Sequence, residues 1–223
     1  MRIHLLVFAA LLLFAVPGAA EAERVQVAPV DNGAALVNPR MGWKLNFYSN
    51  ILSNYGSRLE PSDTLDDFPG VSVAYLRVPW AYLEPEEGKF NWALLDTPAQ
   101  RWIADGKRIA LRFTCSENWM KYATPEWVRE AGAKGTYYRY GRGRVEEGGP
   151  WDPFFDDPVF LEKLDAFLAA AAARYDGNPN VDFIDVGTFG LWGEGHTHAS
   201  SQQDCIEVQK LSLIHISEPT RPY

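Results

Sequence analysis

The stretch GTFGLWGEGHTH, Gly187 to His198, sets one glutamate between glycines, with an indole before it and two histidines after it. Those residue types suit three kinds of chemistry. A glutamate works as a general acid/base when desolvation or a neighbouring negative charge lifts its pKa from about 4.3 to about 6 or 7. Trp192 would desolvate Glu194 if the loop folds the indole over the carboxyl, and Gly193 and Gly195 permit close backbone approach. Glu194, His196 and His198 also alternate at two-residue spacing, so an extended segment would turn all three toward one metal ion and its bound water. The third reading makes His196 a hydrogen-bond partner for a hydroxyl of a bound ligand, with plain loop histidines as the bland alternative.

The elements that must hold such a loop lie upstream. VDFIDVG, Val181 to Gly187, reads as a strand running straight into it, and three earlier runs read the same way: Gly42 to Phe47, Val71 to Trp80, and Lys107 to Cys115. Between them the pattern predicts a helix from Leu94 to Asp105 that stops at Gly106. A second helix is capped by Asp157, has Pro158 at its first position, and runs to Tyr175 with apolar residues three and four apart. Strands alternating with helices predict an α/β fold with parallel pairing. By strand parity Tyr75 and Arg77 share a face, Arg112 alternates with Leu111 and Phe113, and Asp185 alternates with Ile184 and Val186. Charges facing inward at strand ends are what a (β/α) barrel places at its active-site mouth. Arg77, Arg112 and Asp185 read equally well as a buried structural ion network.

Ser116 to Asp156 is too long to be a mere connection. It carries Trp119, Tyr122, Trp127, Tyr137, Tyr138, Tyr140 and Trp151, whose rings suit stacking on sugars or packing as the segment's own small core. Trp119, next to the third strand's end, is the best placed to meet a ligand.

Both chain ends stand apart from this text. Arg2, the apolar run Leu5 to Val16 and the site Ala20-Glu21-Ala22 have the form of a secretory signal, so residues 1–22 are expected to be removed and the protein to be secreted or periplasmic, with no membrane attachment afterwards. Leu211 to Arg221 resembles the conceptual translation of a transposase sequencing adapter, which sets 211–223 apart as read-through and leaves 23–210 as the folded part. A net charge of -8 with no basic stripe argues against a nucleic-acid partner. Two cysteines, Cys115 and Cys205, allow one bridge and exclude a disulfide scaffold. Nothing in the sequence speaks to oligomeric state.

YLRVPWAYLEPEEGKFNWALLD, Tyr75 to Asp96, resembles the second-strand region of clan-A glycoside hydrolases, β-galactosidase-like enzymes in particular, where an arginine-bearing strand precedes W-x-x-x-E-P-x-x-G-x-[FY]. The matching positions are Arg77, Trp80, Glu84, Pro85, Gly88 and Phe90, and TPEWV and GTFGLWGEGH resemble the same group. The resemblance implies an incomplete (β/α)8 TIM barrel of about the first four β/α units, an open curved parallel sheet from a secreted enzyme acting on plant or algal poly- or oligosaccharides. It implies Glu194 as general acid/base, no cofactor, and a second carboxylate from a seventh strand that this chain does not carry, so that the full-length parent is expected to be the enzyme and the fragment itself to be inactive. Arg77, Trp80, Arg112, Trp119, Asp185, Trp192 and His196 are the expected substrate-binding residues. One position departs from the pattern: where the clan usually has asparagine before the acid/base, holding the sugar 2-hydroxyl, this chain has Gly193. A non-catalytic carbohydrate-binding barrel and a metal-dependent hydrolase using Glu194, His196 and His198 are the alternatives.

Overall fold

A computed structural model of the chain describes residues 25–28, 30, 31, 33, 42–48 and 70–196. The signal-like residues 1–22, the adapter-like residues 211–223, His198 and Cys205 lie outside the described residues. The chain divides into two units, Met1–Ala34 and Ala35–Tyr223. In the first, Val25 and Val27 are exposed and the Asp31 carboxylate accepts the Gly33 N–H at 2.9 Å. Every element below belongs to the second.

Four strands, β1 (Trp43–Tyr48), β2 (Val71–Pro79), β3 (Arg108–Thr114) and β7 (Val181–Asp185), form a parallel sheet in the order β1-β2-β3-β7. All four match the strands expected from apolar patterning to within two residues at either end. Among the described residues the sheet is open, with β1 and β7 at its edges.

Alternation on the strands splits the sheet into two faces. Leu76 and Val78 of β2 and Ile109, Leu111 and Phe113 of β3 point toward the helices, each at most 3% exposed. They meet Leu95 and Ala99 of α2 (Ala93–Ala104), and Phe160, Leu164 and Phe167 of α4 (Pro158–Tyr175). The buried residues of α4, Phe160, Leu164, Phe167, Ala171 and Tyr175, recur at three and four, which is why one face of an otherwise polar and alanine-rich helix docks. Its start is fixed as the sequence implies: the Asp157 carboxylate accepts from the Val159 and Phe160 N–H groups at 3.0 Å each, with Pro158 at the first helical position. Tyr75, Val73 and Ala110 line the opposite face.

The W-x-x-x-E-P-x-x-G run turns out to be architecture. Trp80 opens the one-turn helix α1 (Trp80–Leu83) and is wholly buried, packed at 5.1 Å from Phe167 and edge-on to Trp127 at 5.8 Å. Its indole N–H donates to Glu84 Oε2 at 2.7 Å, and the other oxygen of Glu84 accepts the Gly88 N–H at 2.8 Å. The motif spacing thus closes a turn around one buried carboxylate, whose pKa burial raises and those two donors pull back. Trp80 was expected to touch substrate; enclosed on all sides by the helix-facing core, it has no surface for a ligand.

The long segment after β3 holds a short helix, α3 (Glu126–Glu130), and three short strands, β4 (Gly135–Arg139), β5 (Gly143–Val145) and β6 (Trp151–Pro153). These strands form a small antiparallel sheet in the order β5-β4-β6. Tyr138 and Trp151 are buried in it. The Tyr122 and Tyr137 hydroxyls lie 3.1 Å apart, and the Trp127 indole donates to the Glu84 carbonyl at 3.0 Å. Most of the segment's aromatic residues therefore join the main core rather than one of their own: Trp151 belongs to it, and Tyr122, Trp127 and Tyr137 pack against it.

Candidate functional site

Three charged residues singled out by parity lie abreast. Arg77 of β2 pairs in register with Arg112 of β3, and Arg112 with Asp185 of β7, all on the face opposite the helices. Two arginines on adjacent strands repel unless carboxylates separate them. Each has its own. Asp185 Oδ2 accepts from Arg112 Nε at 2.9 Å and Nη2 at 2.5 Å, and from the Tyr75 hydroxyl at 2.7 Å. Burial works to raise the Asp185 pKa, but Tyr75, Arg112 and Lys44 outweigh it and hold the carboxyl below the usual aspartate range. Burial and the bond to Asp185 push the Tyr75 phenol far up. Lys44 lies over the Tyr75 ring at 4.1 Å. Arg112 and Asp185 are thus matched to each other, which is the structural network reading, while keeping partial exposure on the face where a ligand would lie.

Arg77 looks the other way, between two glutamates. Its Nη2 is 3.5 Å from Glu117 Oε2 and its Nη1 is 3.9 Å from Glu194 Oε1. Glu117 follows β3 by three residues and its side chain is completely enclosed; Thr114 Oγ1 donates to one oxygen at 2.8 Å and the Trp119 indole to the other at 2.9 Å. Burial raises its pKa, and Arg77, Thr114 and Trp119 offset this only in part. Glu117 did not stand out from the sequence, because a single glutamate in SENW has no spacing to mark it. Its one signal was position: a carboxylate in the turn directly beyond a strand end.

Glu194 sits where the loop after β7 turns back. Leu191–Gly193 form a single 3-10 turn in which Trp192 adopts φ 58, an uncommon value for a residue with a side chain. Trp192 N–H donates to the Ser116 carbonyl at 2.9 Å and its indole to Asn118 Oδ1 at 3.1 Å. Its ring stands 5.7 Å from Tyr140 and edge-on to His196 at 5.8 Å. The indole was expected to fold over Glu194 and desolvate it. Those bonds hold it against the turn after β3 instead, and the Glu194 side chain stays 45% exposed. Of the two carboxylates facing Arg77, Glu117 is the desolvated one.

His196 Nε2 lies 3.5 Å from Glu194 Oε2. His198, the third residue of the metal reading, lies outside the described residues; among those described, no three ligating side chains converge. Cys115 is a buried free thiol. Trp119 is partly exposed and helps line a cavity of about 290 Å³ with Asn118, Met120, Lys121, Gly148, Gly149 and Pro150. Trp119 therefore offers an indole fixed at its N–H by Glu117 beside an open space, an arrangement that suits a stacked ring.

Gly193, the departure from the clan pattern, has a structural cause. Its φ is 67, and a Cβ there would stand 2.8 Å from the Gly187 carbonyl carbon and closer still to its oxygen. The loop folds back onto the end of β7 too tightly for any side chain, asparagine included.

No curated protein matches the chain. Among solved structures it is similar to the β-galactosidase of the psychrophilic Marinomonas ef1, at 17% identity and a TM-score of 0.46 over 65% of this chain and 21% of that one. It is also similar to a catalytic mutant of a family 42 β-galactosidase from G. stearothermophilus, at 18% identity and a TM-score of 0.43 over 69% of this chain and 22% of that one. A third is the catalytic domain of the β-amylase of Paenibacillus polymyxa, at 16% identity and a TM-score of 0.42 over 69% and 36%. The chain spans about a fifth of the length of these β-galactosidases. The model of glycoside hydrolase family 42, described as β-galactosidase, matches residues 43–188, from β1 through the end of β7. With two thirds of its residues inside that match, the chain belongs to glycoside hydrolase family 42.

Proposed function

We propose that the protein serves as part of a glycoside hydrolase that cleaves glycosidic bonds in oligo- or polysaccharides, its four parallel strands being the first of a (β/α)8 barrel and Glu194 the general acid/base. The observation that carries this reading is the position of Glu194, just past the C-terminal end of β7, facing Arg77 at the C-terminal end of β2. Active sites of such barrels gather at that end of the sheet. A carboxyl that is 45% exposed and lies among Arg77 and His196 can reach a glycosidic oxygen, give it a proton as the C–O bond breaks, and recover that proton from water.

Hydrolysis needs a second carboxylate, either to attack the sugar or to activate water. Glu117 faces the same arginine but is sealed beneath the mouth, so it is not that group. Trp119 is the stacking platform, and Trp192 packs edge-on to His196, which lies beside Glu194; Arg112, paired with Asp185, donates to the Trp192 carbonyl at 3.3 Å. A β-galactoside is the first substrate to try, given the family.

Glu194→Gln in the completed enzyme tests the assignment. It keeps the shape and removes the titrating proton, so activity on substrates with poor leaving groups should drop by about 10² to 10⁴, and activated aryl glycosides should lose much less in the bond-breaking step. An equal loss on both kinds of substrate would remove Glu194 from the acid role.

A further inference from the structure

We propose that the turn Ser116-Glu117-Asn118-Trp119 is the frame on which Glu194 is set, and that Glu117 is a positioning residue acting through Arg77. The proposal rests on Glu194 being the acid/base, and deepens that reading. Four contacts carry it, one from each residue of the turn. The Ser116 carbonyl takes the Trp192 N–H, the Asn118 amide oxygen takes the Trp192 indole, the Trp119 indole bonds Glu117, and Glu117 faces Arg77. The first two hold the backbone and the side chain of Trp192 in the 3-10 turn, two residues before Glu194. The last two fix the cation that meets its carboxylate.

Burial explains why the frame is stiff. A glutamate with no exposed side chain is costly unless its oxygens are bonded, and here Thr114 and Trp119 occupy one oxygen each while the Arg77 guanidinium stands beside them. Arg77, itself 8% exposed, then has one nitrogen toward Glu117 and the other toward Glu194. Without Glu117 the guanidinium would lose its carboxylate partner beneath the site, and its balance would shift toward Glu194. That shift changes the distance between Glu194 and the bond to be broken, and displacements near 1 Å in such a site cost up to about 10² in rate.

The test is Glu117→Gln in the completed enzyme, read in two independent ways. Without substrate, a crystal structure of the variant should show the Arg77 guanidinium displaced from its place between residues 117 and 194; an unmoved Arg77 would overturn the proposal whatever the enzyme does. With substrate, kcat should fall about 10- to 10²-fold on poor leaving groups, KM should change little, and activated leaving groups should be spared. That is the pattern of Glu194→Gln in weaker form, and a residue that merely stabilised the fold would lower both substrate classes alike. The loss should also disappear in an Arg77→Ala background, since the two act as a unit; additive losses would sink the idea. Should Glu117→Gln fail to fold, Trp119→Phe removes one donor and keeps the ring, with the same leaving-group pattern expected and a uniform loss counting against it. If Glu194→Gln retains activity while Glu117→Gln moves Arg77, the acid assignment fails and the positioning of Arg77 stands.

Discussion

Replacing Gly193 separates conformational from steric cost in the loop that carries Glu194. With φ 67, any L-residue there is strained by the left-handed region, at about 1–2 kcal/mol, and its Cβ presses on the Gly187 carbonyl, where overpacking adds about 1–3 kcal/mol. Gly193→Ala should therefore cost about 2–5 kcal/mol. Gly177, just beyond the end of α4, supplies the control: its φ is 70, but nothing lies within 4 Å of a Cβ built on it. Gly177→Ala should show the conformational part alone, about 1–2 kcal/mol. For a chain of this size each kcal/mol moves Tm by about 2–4 °C, so Gly177→Ala should lower Tm by about 2–8 °C and Gly193→Ala by about 4–20 °C. Thermal unfolding followed by circular dichroism at one scan rate measures both. Equal losses at the two positions would refute the steric argument. Gly193→Asn tests its functional side: asparagine tolerates the left-handed region, so about 1–3 kcal/mol of clash should remain, and restoring the clan's usual residue should not raise activity. A gain in turnover with Tm unchanged would show that the loop opens to accept the amide.

Asp185 gives a pH dependence with a definite sign. Its carboxyl is held below the usual range, so between the folded and unfolded values the unfolded chain binds more protons; the stability it contributes is present above about pH 4 and is lost as pH falls through the folded value. Asp185→Asn should flatten the decline of urea-derived stability below about pH 4, and an unchanged slope would mean that the bonds from Tyr75 and Arg112 do not set its titration. Export is tested by expression with the native N-terminus in a secreting host: mature material should begin near Glu21 or Glu23, and recovery of exported protein that retains Met1 would dismiss the signal.

Much of the framework is legible in the amino-acid sequence, because it depends on local rules. Runs of β-branched and apolar residues mark β2, β3 and β7, and strand parity assigns Arg77, Arg112 and Asp185 to one face, since strand side chains have a period of two and nothing nonlocal alters that. The start of α4 is equally plain: Asp157 and Pro158 satisfy its first N–H groups whatever surrounds them. Period alone does not supply register, and register is what sets the two arginines abreast and makes the carboxylates beside them necessary. Nor does it say which way an aromatic residue faces. Trp80 and Trp119 are alike as letters, yet one is sealed in the core by Glu84, Trp127 and Phe167 and the other borders a cavity. Trp192 turns to Asn118 rather than over Glu194 because a residue 74 positions away offers its indole an acceptor. Glu117 is hidden in the sequence for the same reason: its meaning lies in Arg77, Thr114 and Trp119 meeting at one buried point, and a convergence of three side chains from β2, β3 and the turn beyond it exists only once the strands are paired.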